Sequence, residues 1–356
     1  MAYTTIDKPT DYFNIVLHSG DGTSPEQITG FGFQPDWVWT KTRSNTNNHT
    51  LFDSVRGAGA SKELSSNFNT AEGGVDTTNY GYLSSFDSDG FTATSGSLGI
   101  NYFNYSGDTY VNWGWLAGGT ASSNTDGTTT SNVSANTTSG FSIVTFTGTG
   151  STATIGHGLG ALPSTVIVKC RSDGTSNWVT WHKTFTTNND YVQINDTNAK
   201  LNFGLINNTS NTTSVFGLTG DGNVNGSGRT YVAYVFSEKK GYSKFGSYTG
   251  NGNADGTFVY TGFKPAFVIV KQTNASGEGW HILDNKRSGA NGDMERLLAN
   301  SSNAESNYSG NLDLLSNGFK TRINDAGVNG SGSTYIYMAF AENPFVTSSG
   351  VPACAR

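Results

Sequence analysis

Short runs of apolar residues, alternating or continuous and bounded by glycine and asparagine, fill this chain and predict strands almost throughout. Val166-Ile-Val168 and Val268-Ile-Val270 are apolar on both faces of a strand, which marks central strands covered on both sides. From Tyr231 to Phe236 the side chains alternate. Tyr231, Ala233 and Val235 take one face, and Val232, Tyr234 and Phe236 the other. Strands such as Phe141 to Thr147 lead into a glycine turn, and a proline then opens the next apolar strand, where its missing N–H costs least. Helical patterning is nearly absent. The best candidates are Asp293 to Ala299 and the related Ala60 to Leu64.

This plan is written three times. Pro35-Asp-Trp-Val-Trp-Thr-Lys41 is answered by Pro163-Ser-Thr-Val-Ile-Val-Lys169 and by Pro265-Ala-Phe-Val-Ile-Val-Lys271. Glycine-rich lead-ins precede each copy, at Ser19 to Gly22, Thr147 to Gly150 and Thr249 to Gly252. Aromatic strands close them, from Thr109 to Trp115, Thr230 to Phe236 and Thr334 to Phe340. Val224-Asn-Gly-Ser-Gly228 recurs identically at Val328-Asn-Gly-Ser-Gly332 as a turn signal before the last strand. The expected fold is all-β, with three tandem antiparallel β-sandwich modules of jelly-roll or lectin-like type, at residues 1–118, 141–241 and 242–342. A small-polar linker, 119–140, separates the first two, and 343–356 forms a tail. At roughly a hundred residues each module is large enough to bury its own core, so 242–356 is expected to fold alone. Three long repeats are too few for propeller blades.

Composition narrows the function classes. The 356 residues include 46 Gly, 21 Phe, 16 Tyr and 7 Trp, with 13% charged residues and a formal net charge of −6. So many aromatics argue against disorder. No Lys/Arg cluster supplies the footprint that phosphate backbones need, so no nucleic-acid partner is expected. No membrane partner is expected either, since no stretch approaches a span and the first residues lack a signal pattern. Cys170 and Cys354 give neither a disulfide framework nor metal spacing.

Candidate chemistry is sparse. Lys41 is followed by Asp53 and Arg56, and Lys271 by Asp284 and Arg287, with the same Asp-to-Arg spacing of three. These six are expected to form structural ion pairs, a clip across neighbouring strands, rather than a catalytic lysine site. The middle copy keeps Lys169 but has His182 where the acid would fall, and no matching arginine. The five histidines show no zinc spacing, Ile155 to Gly160 lacks the helix of a phosphate loop, and Asn251 to Asp255 reads as a hairpin loop rather than a calcium site. Neither Asp87 with Asp89 nor Glu295 with Glu305 holds a shared place across the copies, as a glycosidase acid pair would. No enzyme, cofactor or metal is expected. Trp37, Trp39, Trp113 and Trp115 are the candidate ligand-binding residues, since exposed aromatic faces stack on sugar rings; core packing is the competing use.

The opening Met1 to Ile6 with Asp11-Tyr-Phe13, the block Gly30 to Trp39, Leu51-Phe-Asp-Ser-Val-Arg-Gly57 and the ending Ala339 to Phe345 together resemble a family of marine tailed-phage structural proteins, catalogued through a repeated domain of unknown function. The resemblance covers essentially the whole chain. It implies a virion-surface component, made in the host cytoplasm and partnered by other virion proteins and further copies of itself. It supplies no catalytic residues. A tail-fibre or spike adhesin for host polysaccharide is the leading expectation, and a capsid decoration or head-fibre protein the alternative.

Overall fold

The computed structural model describes residues 3–287, 291, 294–307 and 311–353. The fold is all-β, with several antiparallel sheets. Among the described residues the α-helix is confined to Thr77–Tyr80. Three sheets are large and share one strand order. In the N-terminal third the order is Phe13–Ser19, Thr109–Trp115, Trp37–Thr42, Thr50–Asp53. Phe141–Thr147, Thr230–Phe236, Thr165–Cys170 and Val179–His182 repeat it within an eight-stranded sheet, and Ser243–Thr249, Thr334–Pro344, Phe263–Gln272 and Trp280–Asp284 within a six-stranded one. Each third also carries a small sheet, in which Ile28 pairs with Phe91, Ile155 with Phe216 and Val259 with Phe319.

Two expected helices are not formed. Glu295–Leu298 is a strand, and Ala60 to Leu64 is a turn ending in a β-bridge to Leu51; Asp293 lies outside the described residues. The apolar spacing that suggested a helix is too short to nucleate one, while the neighbouring Trp280–Asp284 offers Glu295–Leu298 a ready ladder. Residues 119–140 also pair. Ser122–Asn124 and Ser131–Asn136 extend the middle sheet, with Val133 opposite Val144.

The doubly apolar strands are covered twice. Val268 and Val270 face a cluster made with Val259 and Phe319 of the small sheet. Phe267 and Ile269 face the other way, into a cluster that spans all three thirds of the chain. Register shows how evenly the thirds contribute. Trp37 lies opposite Trp115, Thr165 opposite Phe236 and Phe267 opposite Phe340; two residues on, Trp39 faces Trp113, Ile167 faces Tyr234 and Ile269 faces Met338. These side chains meet at the centre. Trp37 stacks on Tyr234 at 4.2 Å between ring centroids, Phe236 lies 5.6 Å from Phe340, and Phe340 lies 5.7 Å from Trp115. A cavity of only about 20 Å³ remains between the triads Trp39, Ile167, Ile269 and Trp115, Phe236, Phe340. One core cluster therefore crosses the boundaries expected from the sequence, while two others lie within the first and last thirds.

The turns recur with the sheets. Asn104, Asn225 and Asn329 are each fully buried. Their backbone carbonyls accept from Gly22, Gly150 and Gly252, residues that sit at positive φ, and their side-chain oxygens accept from Asp21, Thr149 and Asn251. Beside them the Tyr110, Tyr231 and Tyr335 hydroxyls donate to Asn101, Gly222 and Ala326 carbonyls and accept from Tyr105, Gly226 and Gly330 amides. Each glycine lead-in is thus locked to the turn before the closing strand.

Candidate functional site: the seams between the thirds

Three seams join the thirds in a closed ring, and Asp53, Arg56, Asp284 and Arg287, expected as structural ion pairs, lie in them. One plan underlies all three. A ring N–H at the start of a strand donates to a carbonyl of the neighbouring third: Trp178 Nε1 to Ser65 at 2.8 Å, Trp280 Nε1 to Gln193 at 2.8 Å, and His49 Nε2 to Leu298 at 3.0 Å. His49 Nδ1 accepts from Trp39 Nε1, which fixes the imidazole as the neutral Nε2–H tautomer. Nearby, the amides of Glu72, Lys200 and Glu305 donate to the carbonyls of Arg171, Thr273 and Arg43.

Asp53 and Arg56 pair as expected, and so do Asp284 and Arg287, at 2.5 and 2.6 Å with all four side chains buried. In both pairs the acid also receives the arginine amide three residues on. Each pair then reaches across a seam. Tyr234 donates its hydroxyl to Asp53 at 2.8 Å, and Trp113 donates Nε1–H to Asp284 at 3.0 Å. Arg56 continues to Glu72, which holds Arg171; Arg287 continues to Glu305, which holds Arg43. These are four-charge chains, buried at the aspartate and first arginine and partly exposed at the glutamate and outer arginine.

The lysines are not part of these pairs. Lys41, Lys169 and Lys271 are fully buried, and their ammonium groups donate to backbone carbonyls instead. Lys41 takes Thr42 and Asn45; Lys169 takes Cys170, Ser176 and, across a seam, Asn69; Lys271 takes Glu278 and, across a seam, Thr197. Burial pulls Lys41 down to about 7 and the other two to about 8. Among the described residues only carbonyl oxygens lie within hydrogen-bonding distance of these amines, so the cages act as turn locks.

The missing acid of the middle copy now has a cause. Tyr234 and Trp113 occupy equivalent register positions, and the third such position is Met338, which has no N–H or O–H to donate. A carboxylate facing it would have lost its cross-seam donor. His182 stands there instead, donating Nε2–H to the Tyr337 carbonyl at 3.3 Å. Phe185 stands in the arginine position, and Lys200 lies 5.6 Å over its ring. Two seams are ionic and the third is largely apolar.

The tryptophans expected at a ligand surface are in the core. Trp37, Trp39, Trp113 and Trp115 retain 3% exposure or less. Strand alternation points all four at the centre, where three sheets cover them, so no sugar can stack on them. Glu305, weighed above as a glycosidase acid, is a seam residue. Cys170 is a buried free thiol, and Cys354 lies outside the described residues. Among the described residues no group of three His, Cys, Asp or Glu is placed to hold a metal ion, and no helix is long and apolar enough to cross a membrane. Sequence reading missed Glu72, Arg43 and Arg171, and named Tyr234, Glu305 and His49 without their seam roles. Aligning the copies exposes part of this set, because Arg43, Arg171 and Thr273 each follow the caged lysine by two residues.

Residues 8–344 match a protein family described as a domain of unknown function, DUF7483. The match is one span across all three thirds rather than several copies of a shorter domain. No curated protein matches the chain.

Removing one member of a seam should cost more than removing a caged lysine. Asp284→Ala strands the Arg287 cation and the Trp113 N–H, and should destabilise by about 3–5 kcal/mol. Lys271→Met leaves only two carbonyls unpaired, and should cost about 1–3 kcal/mol. Urea unfolding checks the order, and the reverse ranking would undo the assignment.

Acid should loosen the seams. Burial pulls His49 and His182 down to about 3, so both stay neutral in the fold, while the unfolded chain protonates them near 6.5. Their contribution is complete above about 6.5 and is lost as pH falls toward 3, at about 1.4 kcal/mol per pH unit for each. Tm should fall between pH 6.5 and 4, and His182→Gln should make that fall shallower. An unchanged slope in the variant would contradict this.

Proposed function

The chain belongs to the DUF7483 family, and we propose that it is a bacteriophage virion structural protein, a tail-fibre or spike-type adhesin that binds host-cell surface polysaccharide. In this reading the chain is three β-sandwich repeats closed into one body, displayed at the virion surface and acting by recognition without catalysis. The observation that carries it is the use to which the buried charges are put: lysines caged by carbonyls, and acids paired with arginines within a third and across seams. Chemistry that could turn over a substrate is spent on rigidity, which leaves outward sheets and loops as the working surface. The resemblance to phage structural proteins supports the same reading. Its blocks, Trp37 with Trp39, Asp53 with Arg56, and Ala339 with Phe340, are core and seam residues, so what is shared is the scaffold.

Further copies of the chain and other virion proteins are the natural partners, and several copies on one particle would add avidity. A capsid decoration protein with a mainly structural role is the second reading. Burial of Trp37, Trp39, Trp113 and Trp115 favours it, because the aromatic surface that first suggested sugar binding is interior.

Antibody labelling of the virion in electron microscopy separates the two. Label at tail or fibre tips is the expected result. Uniform label over the capsid shell would make this a decoration protein, and absence from purified particles would overturn both readings.

A further inference from the structure

The three small sheets face outward in equivalent registers, and one of them differs from the others. The inward partners are Ile28, Ile155 and Val259, each opposite a phenylalanine. The neighbours on the same strands are the exposed Gln27 and Thr29 in the first third, and in the second the half-buried Thr154 and the buried Gly156, which lies beneath Asn124. In the last third they are Phe258 and Tyr260, which remain 46% and 55% exposed. The first third folds with polar residues at these exposed places, so folding does not account for the aromatic pair.

The surroundings hold the pair open. At two residues' rise the rings sit about 7 Å apart along the strand, on one face, so that one extended ligand can lie across both. The strand position opposite Tyr260 is Gly318, which has no side chain to cover the ring. The Tyr3 hydroxyl, 3.4 Å from that of Tyr260, donates to the Gly262 carbonyl and steadies the far end. Opposite Phe258 stands Lys320, paired with Asp255, whose side chain is 81% exposed; Arg322 lies between Asp255 and Asp313. At the Phe258 end two cations and two carboxylates offer both N–H donors and oxygen acceptors, and at the Tyr260 end Lys240 lies 4.4 Å over the Tyr3 ring.

From this we propose that Phe258 and Tyr260 form the platform of a carbohydrate site that takes an uncharged polysaccharide. Sugar rings present apolar C–H faces to the aromatic pair, and their hydroxyls, each a donor and an acceptor, meet the Lys320, Asp255, Arg322 and Asp313 rim. Asp255 and Asp313 select the ligand class, since an acidic glycan would meet both carboxylates at close range. The inference rests on the adhesin reading and gives it a location.

Affinity electrophoresis of the full chain in native gels containing mannan, dextran or laminarin, with alginate as the acidic comparison, tests it. The wild-type chain should be retarded by at least one neutral polysaccharide. Phe258→Ala combined with Tyr260→Ala should weaken that retardation at least tenfold, while Phe203→Ala, which removes a more exposed aromatic elsewhere, should leave it intact. Both altered side chains point to solvent, so an unchanged Tm accompanies the expected loss. Retardation that survives the double substitution would overturn this site and leave the adhesin reading standing. Failure to bind any of the three neutral polysaccharides would overturn the site, as would a double variant whose main change is loss of self-association in sedimentation. The adhesin reading itself falls only with the virion label.

Discussion

A strand with apolar side chains on both faces has to be covered twice, and that requirement organises this protein. The small sheet of each third covers one face. The other face is covered by the large sheets of the remaining two thirds, so Trp37, Trp39, Trp113, Trp115, Phe236, Phe267, Met338 and Phe340 pack into one shared centre. Burying so many large aromatic side chains supplies much of the driving force for closure. The polar seams follow from that closure. Once three sheets meet, strand ends from adjacent thirds lie side by side. The ring N–H groups of Trp178, Trp280 and His49 and the charged head groups find partners there.

The seams show how far such a design can vary. Where the neighbour presents a donor, as Tyr234 and Trp113 do, a buried Asp–Arg pair is kept and extended to a glutamate and a second arginine. Where the neighbour presents Met338, the acid, both arginines and the glutamate are all replaced, by His182, Phe185, Thr273 and Lys200. The substitutions are concerted because a single ionic member left buried without its partners would cost several kcal/mol. The bonds common to all three seams, ring N–H to carbonyl and amide to carbonyl, ignore this change because they do not depend on charge.

Much of the framework is legible in the sequence. Val166-Ile-Val168 announces a doubly covered strand, the spacing of Pro163 to Lys169 repeats across the copies, and the Asp53 and Arg56 spacing announces a pair. What covers the second face is not legible, since the apolar pattern of Phe267 and Ile269 is the same whether the cover comes from its own third or from another. The tryptophans mislead for the same reason: alternation assigns Trp37 and Trp39 to one face without saying whether that face meets water. The strand at Ser131–Asn136 is hidden by its small polar side chains, which pair through the backbone. The lysines point to a clip, but carbonyls closing on an ammonium leave no residue-type signature.

The shared centre is tested most directly by expressing residues 242–356 alone and following their thermal unfolding and sedimentation beside the full chain. Excision exposes Phe267, Ile269, Trp280, Met338 and Phe340, all buried in the intact protein. The predicted result is a fragment that self-associates and lacks a cooperative melt. A soluble monomer with a cooperative transition of its own would contradict the claim that the three thirds depend on one core.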